Sequence, residues 1–161
     1  MPETFPAAPR RAGMLPPRGL LIALVAQAPL VVLLWPLNPS WPWRAAGAAA
    51  LLAGVGLNLW ADVLFKRGRV PVCPFHPVPR LVQEGPYRYT RNPMYLGMVL
   101  ISASAALLTG ALPNLAIALL FALWLQLRFV LPEERFLLEQ LGPAFEAYAT
   151  RIPRWIGGPK R

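Results

Sequence analysis

The chain has 161 residues, of which 56% are hydrophobic and 14% are charged, and its formal net charge is +9. The apolar residues lie in long uninterrupted blocks, which excludes an ordinary soluble domain and indicates an all-α integral membrane protein. Its cations flank these blocks and do not form one soluble basic face, so we do not expect the chain to bind nucleic acid.

Four apolar blocks are each close to the roughly 20 residues that cross a bilayer as a helix. They lie at about residues 20–37, 45–65, 94–112 and 115–131. Residues 1–18 are rich in proline, alanine and arginine and are expected to be a disordered lead-in. The first block ends without a small-x-small cleavage site, so we expect it to be retained as an anchor. Residues 19–161 are therefore predicted to form a single membrane domain with four spans and a cytoplasmic segment at 132–161.

The distribution of cations predicts the orientation of the chain. Of its 16 lysines and arginines, all except Arg44 lie on one side of the predicted spans. The positive-inside rule then places both termini in the cytoplasm, and we expect a bacterial inner membrane. Gly110 and Pro113 lie in the short connection between the last two blocks, so these two spans are expected to form a tight helical hairpin.

The second block carries a stripe of small and polar residues, because Ala50, Gly54, Asn58 and Asp62 recur every four positions. We expect this stripe to face protein, since an acid that faces hydrocarbon costs about 2.5–3.5 kcal/mol. Asp62 either pairs with Lys66 one helical turn later or lines a site, and the sequence leaves both roles open. A stripe in the third block, formed by Ser102, Ala106 and Gly110, predicts helix packing.

Two polar clusters border the predicted hairpin. The first precedes the third span and comprises Arg88, Arg91 and Asn92. The second lies around the end of the fourth span and comprises Arg128, Glu133 and Glu134. A hairpin brings both clusters to one side of the membrane, where arginine and amide donors suit a carboxylate and a glutamate suits an ammonium group. The pattern fits a zwitterionic ligand and equally fits charges that anchor helix ends at the headgroups and pair with each other.

Other chemistries have weak support. Cys73 and His76 have a metal-like spacing, but the chain offers no second Cys/His pair, so we expect no metal site. Gly54-x-Gly56 lies inside a predicted membrane helix and is not a dinucleotide-binding loop.

Three segments resemble a known family in their order and spacing: residues 81–97 (LVQEGPYRYTRNPMYLG), the pair Glu133–Glu134, and residues 141–154 (LGPAFEAYATRIPR). They are similar to the isoprenylcysteine carboxyl methyltransferase and phospholipid methyltransferase family, and the resemblance covers roughly residues 45–156. Members are membrane enzymes that move a methyl group from S-adenosylmethionine to a lipid-borne acceptor. The resemblance therefore implies this cofactor, a lipid or hydrophobic small-molecule acceptor, and membrane lipids as partners.

The resemblance also implies site residues. One wall of the cofactor pocket would be formed by Tyr89, Arg91, Asn92, Pro93, Tyr95, Leu96 and Gly97. Glu133 and Glu134 would form the other wall, with Glu134 on the methionine ammonium. Tyr148 and Arg154 would help to close the pocket, and the amphipathic stretch 133–148 would lie on the bilayer as a lid. We expect three residues to take part in catalysis: Asn92, Glu134 and Arg128, the last by attracting an anionic acceptor.

One position departs from the family pattern. The family often has histidine where this chain has Asn92, and an asparagine donates hydrogen bonds but does not titrate near neutral pH. If this position takes a proton from the acceptor in other members, this protein needs another base or an acceptor that is already ionised. Two alternatives to a methyltransferase remain open from the sequence: a membrane reductase of related architecture that uses NADPH, and a non-enzymatic membrane subunit.

Overall fold

The computed structural model describes residues 15–33, 39–68, 81–111 and 113–157, and in these residues the chain is helical without strands. Five helices follow one another: α1 (Pro16–Leu33), α2 (Trp41–Gly68), α3 (Pro93–Thr109), α4 (Asn114–Leu141) and α5 (Pro143–Arg151). A short 3-10 turn, Gly85–Arg88, precedes α3. The predicted all-α membrane fold is confirmed.

Three of the helices are long and apolar enough to cross a membrane, namely α1 with 18 residues and α2 and α4 with 28 residues each. Helix α3 is apolar but has only 17 residues. Within the residues that the structure describes there are therefore three helices of spanning length, where the sequence predicts four. Gly110 follows α3 with a left-handed φ of 73°, and α4 begins at Asn114, which gives the short connection predicted for the hairpin.

Helix α4 extends well beyond the predicted end of the last span. It is α-helical over Asn114–Leu125, forms a π turn over Gln126–Val130, and is α-helical again over Leu131–Leu141. In the π turn the N–H group of Leu131 donates to the carbonyl of Gln126. Pro132 has no backbone N–H group and cannot donate a hydrogen bond to the preceding turn of the helix. The π turn lies directly before this position, where the regular α-helical hydrogen-bonding pattern is interrupted. The helix continues past the proline, so Glu133 and Glu134 are held on α4 itself.

The predicted amphipathic lid at residues 133–148 is not one element. Gly142, with a φ of 50°, separates the end of α4 from α5. A left-handed backbone angle is readily adopted by glycine, and it changes the chain direction there. Only α5 can act as a separate surface helix, while the first half of the predicted lid belongs to α4.

Helices α2 and α3 approach each other closely through glycines. A Cβ atom on Gly54 would lie 2.6 Å from the carbonyl oxygen of Gly97, and one on Gly97 would lie 2.6 Å from the carbonyl oxygen of Gly54. Gly54 is buried and the side-chain amide of Asn58 donates to its carbonyl at 2.9 Å, so the predicted small-residue stripe does face protein. Asp62 pairs with Lys66 at 2.6 Å, which is the structural role considered for it.

Helix α1 is attached to α3 by a polar contact between buried side chains. The side-chain amide nitrogen of Gln27, which is 1% exposed, donates to the hydroxyl of Ser102 at 2.8 Å. Ser102 and Ala106 are fully buried, as expected for a packing stripe. Interhelical hydrogen bonds of this kind fix the register of neighbouring helices in a membrane.

Some sequence predictions fall outside the described residues. These include the lead-in at 1–14 and the Cys73 and His76 pair with its metal-like spacing. Helix α1 begins at Pro16, so residues 16–18 are helical although the composition assigns them to the lead-in.

The glycine contact between α2 and α3 predicts the effect of one added methyl group. We expect Gly97→Ala to destabilise the protein by about 1–3 kcal/mol, because the backbone of α2 must move to admit the new atom. A chain of this size loses about 2–4 °C in Tm per kcal/mol. The measurement is thermal unfolding of the detergent-solubilised protein.

Gly56→Ala is the matched control, because a Cβ atom there meets nothing within 4 Å. We expect Gly56→Ala to leave the Tm unchanged or to raise it slightly, since alanine favours a helix interior over glycine. Equal Tm values for the two variants would contradict the close packing of α2 on α3.

Candidate functional site

The two polar clusters meet at the start of α3 and are joined there by a third segment. Residues 89–92 precede α3, Glu133 and Glu134 lie on the last part of α4, and the C-terminal strap, residues 152–155, follows α5. The ends of the hairpin and the strap bring these three segments into direct contact. The predicted juxtaposition of the two clusters is therefore present in the structure.

Glu134 is the centre of this arrangement. Its carboxylate accepts hydrogen bonds from Arg154, with Nε at 2.9 Å from Oε1 and Nη2 at 2.6 Å from Oε2. Nη1 of Arg91 lies 3.3 Å from Oε1 of the same carboxylate. The side chains of Glu134 and Arg91 are each 13% exposed and that of Arg154 is 35% exposed. Bidentate pairs of arginine and carboxylate combine charge attraction with a defined orientation, so Glu134 is held firmly.

The two arginines experience different surroundings. Burial lowers the pKa of Arg91, and the nearby Glu134 carboxylate partly opposes this effect. The hydrogen bonds to Glu134 raise the pKa of Arg154. A guanidinium group remains charged at any physiological pH, so Glu134 lies between two permanent positive charges.

The C-terminal strap is fixed to the start of α3 by hydrogen bonds to its backbone. The N–H group of Arg91 donates to the carbonyl of Pro153 at 3.0 Å. The hydroxyl of Thr90 and the side-chain amide of Asn92 both donate to the carbonyl of Arg154 at 3.1 Å. Asn92 is buried. Its amide holds the backbone of Arg154, whose side chain pairs with Glu134.

Helix α5 docks beside this site through an aromatic residue. The hydroxyl of Tyr148 donates to the carbonyl of Tyr87 at 2.8 Å. Tyr148 packs with Phe145 and Ile152 in a small buried cluster. Burial raises the pKa of both Tyr148 and Tyr87, so their hydroxyl groups stay protonated at neutral pH. The contact places the start of the strap next to the 3-10 turn.

The second carboxylate of α4 is linked to α3. The hydroxyl of Tyr95 donates to Oε2 of Glu133 at 2.8 Å. Tyr95 is buried and its ring lies 6.2 Å, between centroids, from that of Phe129. The hydrogen bond therefore joins α3 to α4 within one turn of the Glu134 cluster.

The structure brings together six of the residues that the sequence assigns to the site: Arg91, Asn92, Tyr95, Glu133, Glu134 and Arg154, with Tyr148 beside them. Five others are placed differently. Gly97 faces α2, where its lack of a side chain permits the contact with Gly54. Pro93 is buried at the first turn of α3 and Leu96 is half-buried on that helix. Tyr89 is 61% exposed. Arg128 is exposed on the π turn and, in the described part of the chain, takes no part in the ion pairs of Glu134.

Sequence reasoning missed four contributors to the site: Tyr87, Thr90, Gln126 and Trp155. The indole N–H of Trp155 donates to the side-chain oxygen of Gln126 at 2.8 Å. Gln126 carries the only amide or hydroxyl side chain in residues 115–127, and a polar residue in an apolar span is a signal of a buried contact. Tyr87 and Thr90 lie within the motif at residues 81–97, but they and Trp155 contribute through backbone atoms or tertiary contacts, which the sequence does not specify.

The donors and acceptors around Glu134 fit the zwitterionic end of an amino-acid ligand. Nε of Arg91 is buried and has no hydrogen-bond partner among the described residues. A buried guanidinium donor without a partner is unfavourable unless a ligand or an ordered water supplies the acceptor. The nearby carboxylate of Glu134 is paired with Arg91 and Arg154, so an ammonium group would share it with them. In the described part of the chain no group of acidic, histidine or cysteine side chains has a metal-binding arrangement.

The comparison with protein families gives a match over residues 43–144 to the family model described as "Phospholipid methyltransferase". Comparisons with curated proteins and with solved structures give no match. The matched region includes α2, α3, α4 and both polar clusters, whereas α1 and the C-terminal strap lie outside it. The chain belongs to the phospholipid methyltransferase family.

Proposed function

We propose that the protein transfers a methyl group from S-adenosylmethionine to a lipid-borne or hydrophobic acceptor at the cytoplasmic surface of the membrane. The observation that carries this proposal is the carboxylate of Glu134 between Arg91 and Arg154, in a chain of this family. The side on which almost all cations lie is then the cytoplasmic side, with both termini there, in a bacterial inner membrane.

The methionine end of the cofactor matches the charges of the site. Its carboxylate would be held by Arg91, whose Nε has no acceptor among the described residues, and its ammonium by Glu134 and Glu133. A carboxylate accepts about four hydrogen bonds, so an ammonium group on Glu134 would share this group with Arg154. When bound, S-adenosylmethionine would supply a methyl group bonded to a sulfonium sulfur. A lone pair of the acceptor would form the new bond to the methyl carbon, and the electron pair of the broken S–C bond would stay on the sulfur, which leaves as a neutral thioether.

The protein's own residues would mainly orient the reactants. Methyl transfer from a sulfonium needs alignment more than acid or base chemistry, so a rigid site would act mainly by holding the reactants in line. The double contact of Arg154 fixes Glu134, and the hydroxyl of Tyr95 fixes Glu133. Asn92 holds the strap by its amide and has no proton-accepting role at neutral pH.

The position of the site suits an acceptor that approaches from the lipid. The cluster lies where α3 begins and where α4 leaves its apolar part, so a polar cofactor would approach it from water and an amphiphile from the bilayer. Arg128 is exposed close by on α4 and would attract an anionic headgroup without touching the reacting atoms.

The proposal predicts selective stabilisation by the cofactor. We expect S-adenosylmethionine at 100 times its Kd to stabilise the solubilised protein by about 2.7 kcal/mol and NADPH to have no effect. Glu134→Gln should weaken cofactor binding about 10- to 100-fold, since a hydrogen bond to a charged group contributes about 1.5–3 kcal/mol. Thermal unfolding with a titration of each nucleotide measures both effects.

Glu146→Gln is the matched control, because this glutamate is exposed on α5 away from the cluster. The Glu146→Gln variant should bind S-adenosylmethionine with the same affinity as the unaltered protein. Stabilisation by NADPH alone would indicate a reductase of related architecture. A lack of response to either nucleotide would favour a non-enzymatic subunit.

The proposed transfer also predicts a lipid-soluble methylated product. Membranes that contain the protein, incubated with methyl-labelled S-adenosylmethionine, should yield a labelled product that extracts into organic solvent, with one S-adenosylhomocysteine formed per methyl group. Membranes with the Glu134→Gln variant should yield little of it at low cofactor concentration. Label that remains entirely in the aqueous phase would contradict transfer to a lipid-soluble acceptor.

A further inference from the structure

We propose that the hydrogen bond between Trp155 and Gln126 is a positioning contact for the cofactor site, which it serves by fixing the C-terminal strap along α4. The inference rests on the proposed function, because its readout is cofactor affinity. In the described part of the chain, neither side chain forms a hydrogen bond or an ion pair with Glu134. They act through Arg154, which is the neighbour of Trp155 in the chain and the bidentate partner of Glu134.

The strap contacts α4 at two separated points. Arg154 reaches Glu134, while Trp155 reaches Gln126, eight positions earlier on the same helix. Eight residues of an α-helix rise about 12 Å, so two consecutive strap residues extend along roughly two turns of α4. The carbonyl of Arg154 is also held by Thr90 and Asn92. The backbone of the strap is thus held by residues just before α3, and its side chains are held at two points of α4, Gln126 and Glu134.

Gln126 is placed at an unusual point of the helix. It is the first residue of the π turn, and its backbone carbonyl accepts the N–H group of Leu131 five residues later. A π turn widens the helix locally and is often found at functional sites. An amide side chain in an apolar stretch destabilises the fold unless it is hydrogen-bonded. The indole N–H of Trp155 donates to the side-chain oxygen of Gln126 at 2.8 Å and so supplies this hydrogen bond.

The ring of Trp155 is part of the packing that supports the second carboxylate. Trp155 is half-buried against the apolar cluster that contains Tyr95, Leu125 and Phe129. Tyr95 in turn donates to Glu133. Displacement of the Trp155 ring would therefore affect the supports of both Glu133 and Glu134.

A simpler role for Trp155 is that of an aromatic anchor at the membrane interface, where tryptophan is enriched. An anchor requires the amphipathic ring at the right depth and no particular acceptor on α4. The two roles make different predictions for substitutions that keep an apolar side chain in place and remove only the donor or the acceptor.

The test uses Trp155→Phe, which removes the N–H donor and keeps a ring, and Gln126→Met, which removes the acceptor and keeps the chain length. We expect each variant to raise the KM for S-adenosylmethionine about fivefold, the effect of one neutral hydrogen bond, with kcat changed less than twofold. The double variant should be no worse than either single variant, because both remove the same contact. The assay is formation of labelled lipid-soluble product at varied cofactor concentration.

Trp124→Phe is the matched control, since Trp124 packs against the same apolar cluster but belongs to α4 and not to the strap. It should leave the KM for the cofactor unchanged even if the Tm falls. An unaltered KM in both Trp155→Phe and Gln126→Met, or an equal rise in Trp124→Phe, would overturn the positioning role. Failure of the unaltered protein to bind S-adenosylmethionine would instead refute the proposed function, so the two failures are distinguishable. A loss of folding in one variant leaves the other to decide.

Discussion

The arrangement of the site depends on one physical constraint, the presence of a carboxylate near the end of an apolar helix. A buried carboxylate is strongly unfavourable unless charges and hydrogen bonds compensate for its lost hydration. Glu134 obtains this compensation from Arg91, just before α3, and from Arg154, in the C-terminal strap. Because the partners come from separate parts of the chain, the hairpin and the strap must both be in place before Glu134 is paired.

The membrane part of the fold determines where these partners can lie. In lipid, burial of apolar side chains does not drive helices together, so close packing and interhelical hydrogen bonds must do so. The Gly54–Gly97 contact sets the position of α3 against α2, and Gln27 with Ser102 attaches α1. The segment just before α3, which carries Arg91 and Asn92, is therefore positioned by helix packing and by an interhelical hydrogen bond.

The sequence predicts those parts of the site that follow from local pattern. Apolar blocks and a short turn are sufficient to predict a hairpin, and the hairpin predicts that Arg91 and Glu134 meet. The continuation of α4 past Pro132 could not be predicted, because a proline usually ends a helix and a π turn has no compositional signature. A glycine in a motif serves a ligand or a neighbouring helix equally well, and only the distance to Gly54 assigns Gly97 to packing. The bond between Trp155 and Gln126 depends on a tertiary fold that local pattern does not specify.

The chemistry available around the cluster constrains the proposed acceptor. Asn92 does not titrate and its amide is engaged with the carbonyl of Arg154. Tyr87 and Tyr148 have raised pKa values and are poor sources of a base at neutral pH, and the arginines keep their protons. Among the described residues of the cluster only Glu133 and Glu134 can accept a proton, and both already accept hydrogen bonds. An acceptor that arrives ionised, such as a carboxylate or a thiolate, would need no base from this cluster, whereas one that must lose a proton would need one of these two carboxylates or a base outside the cluster.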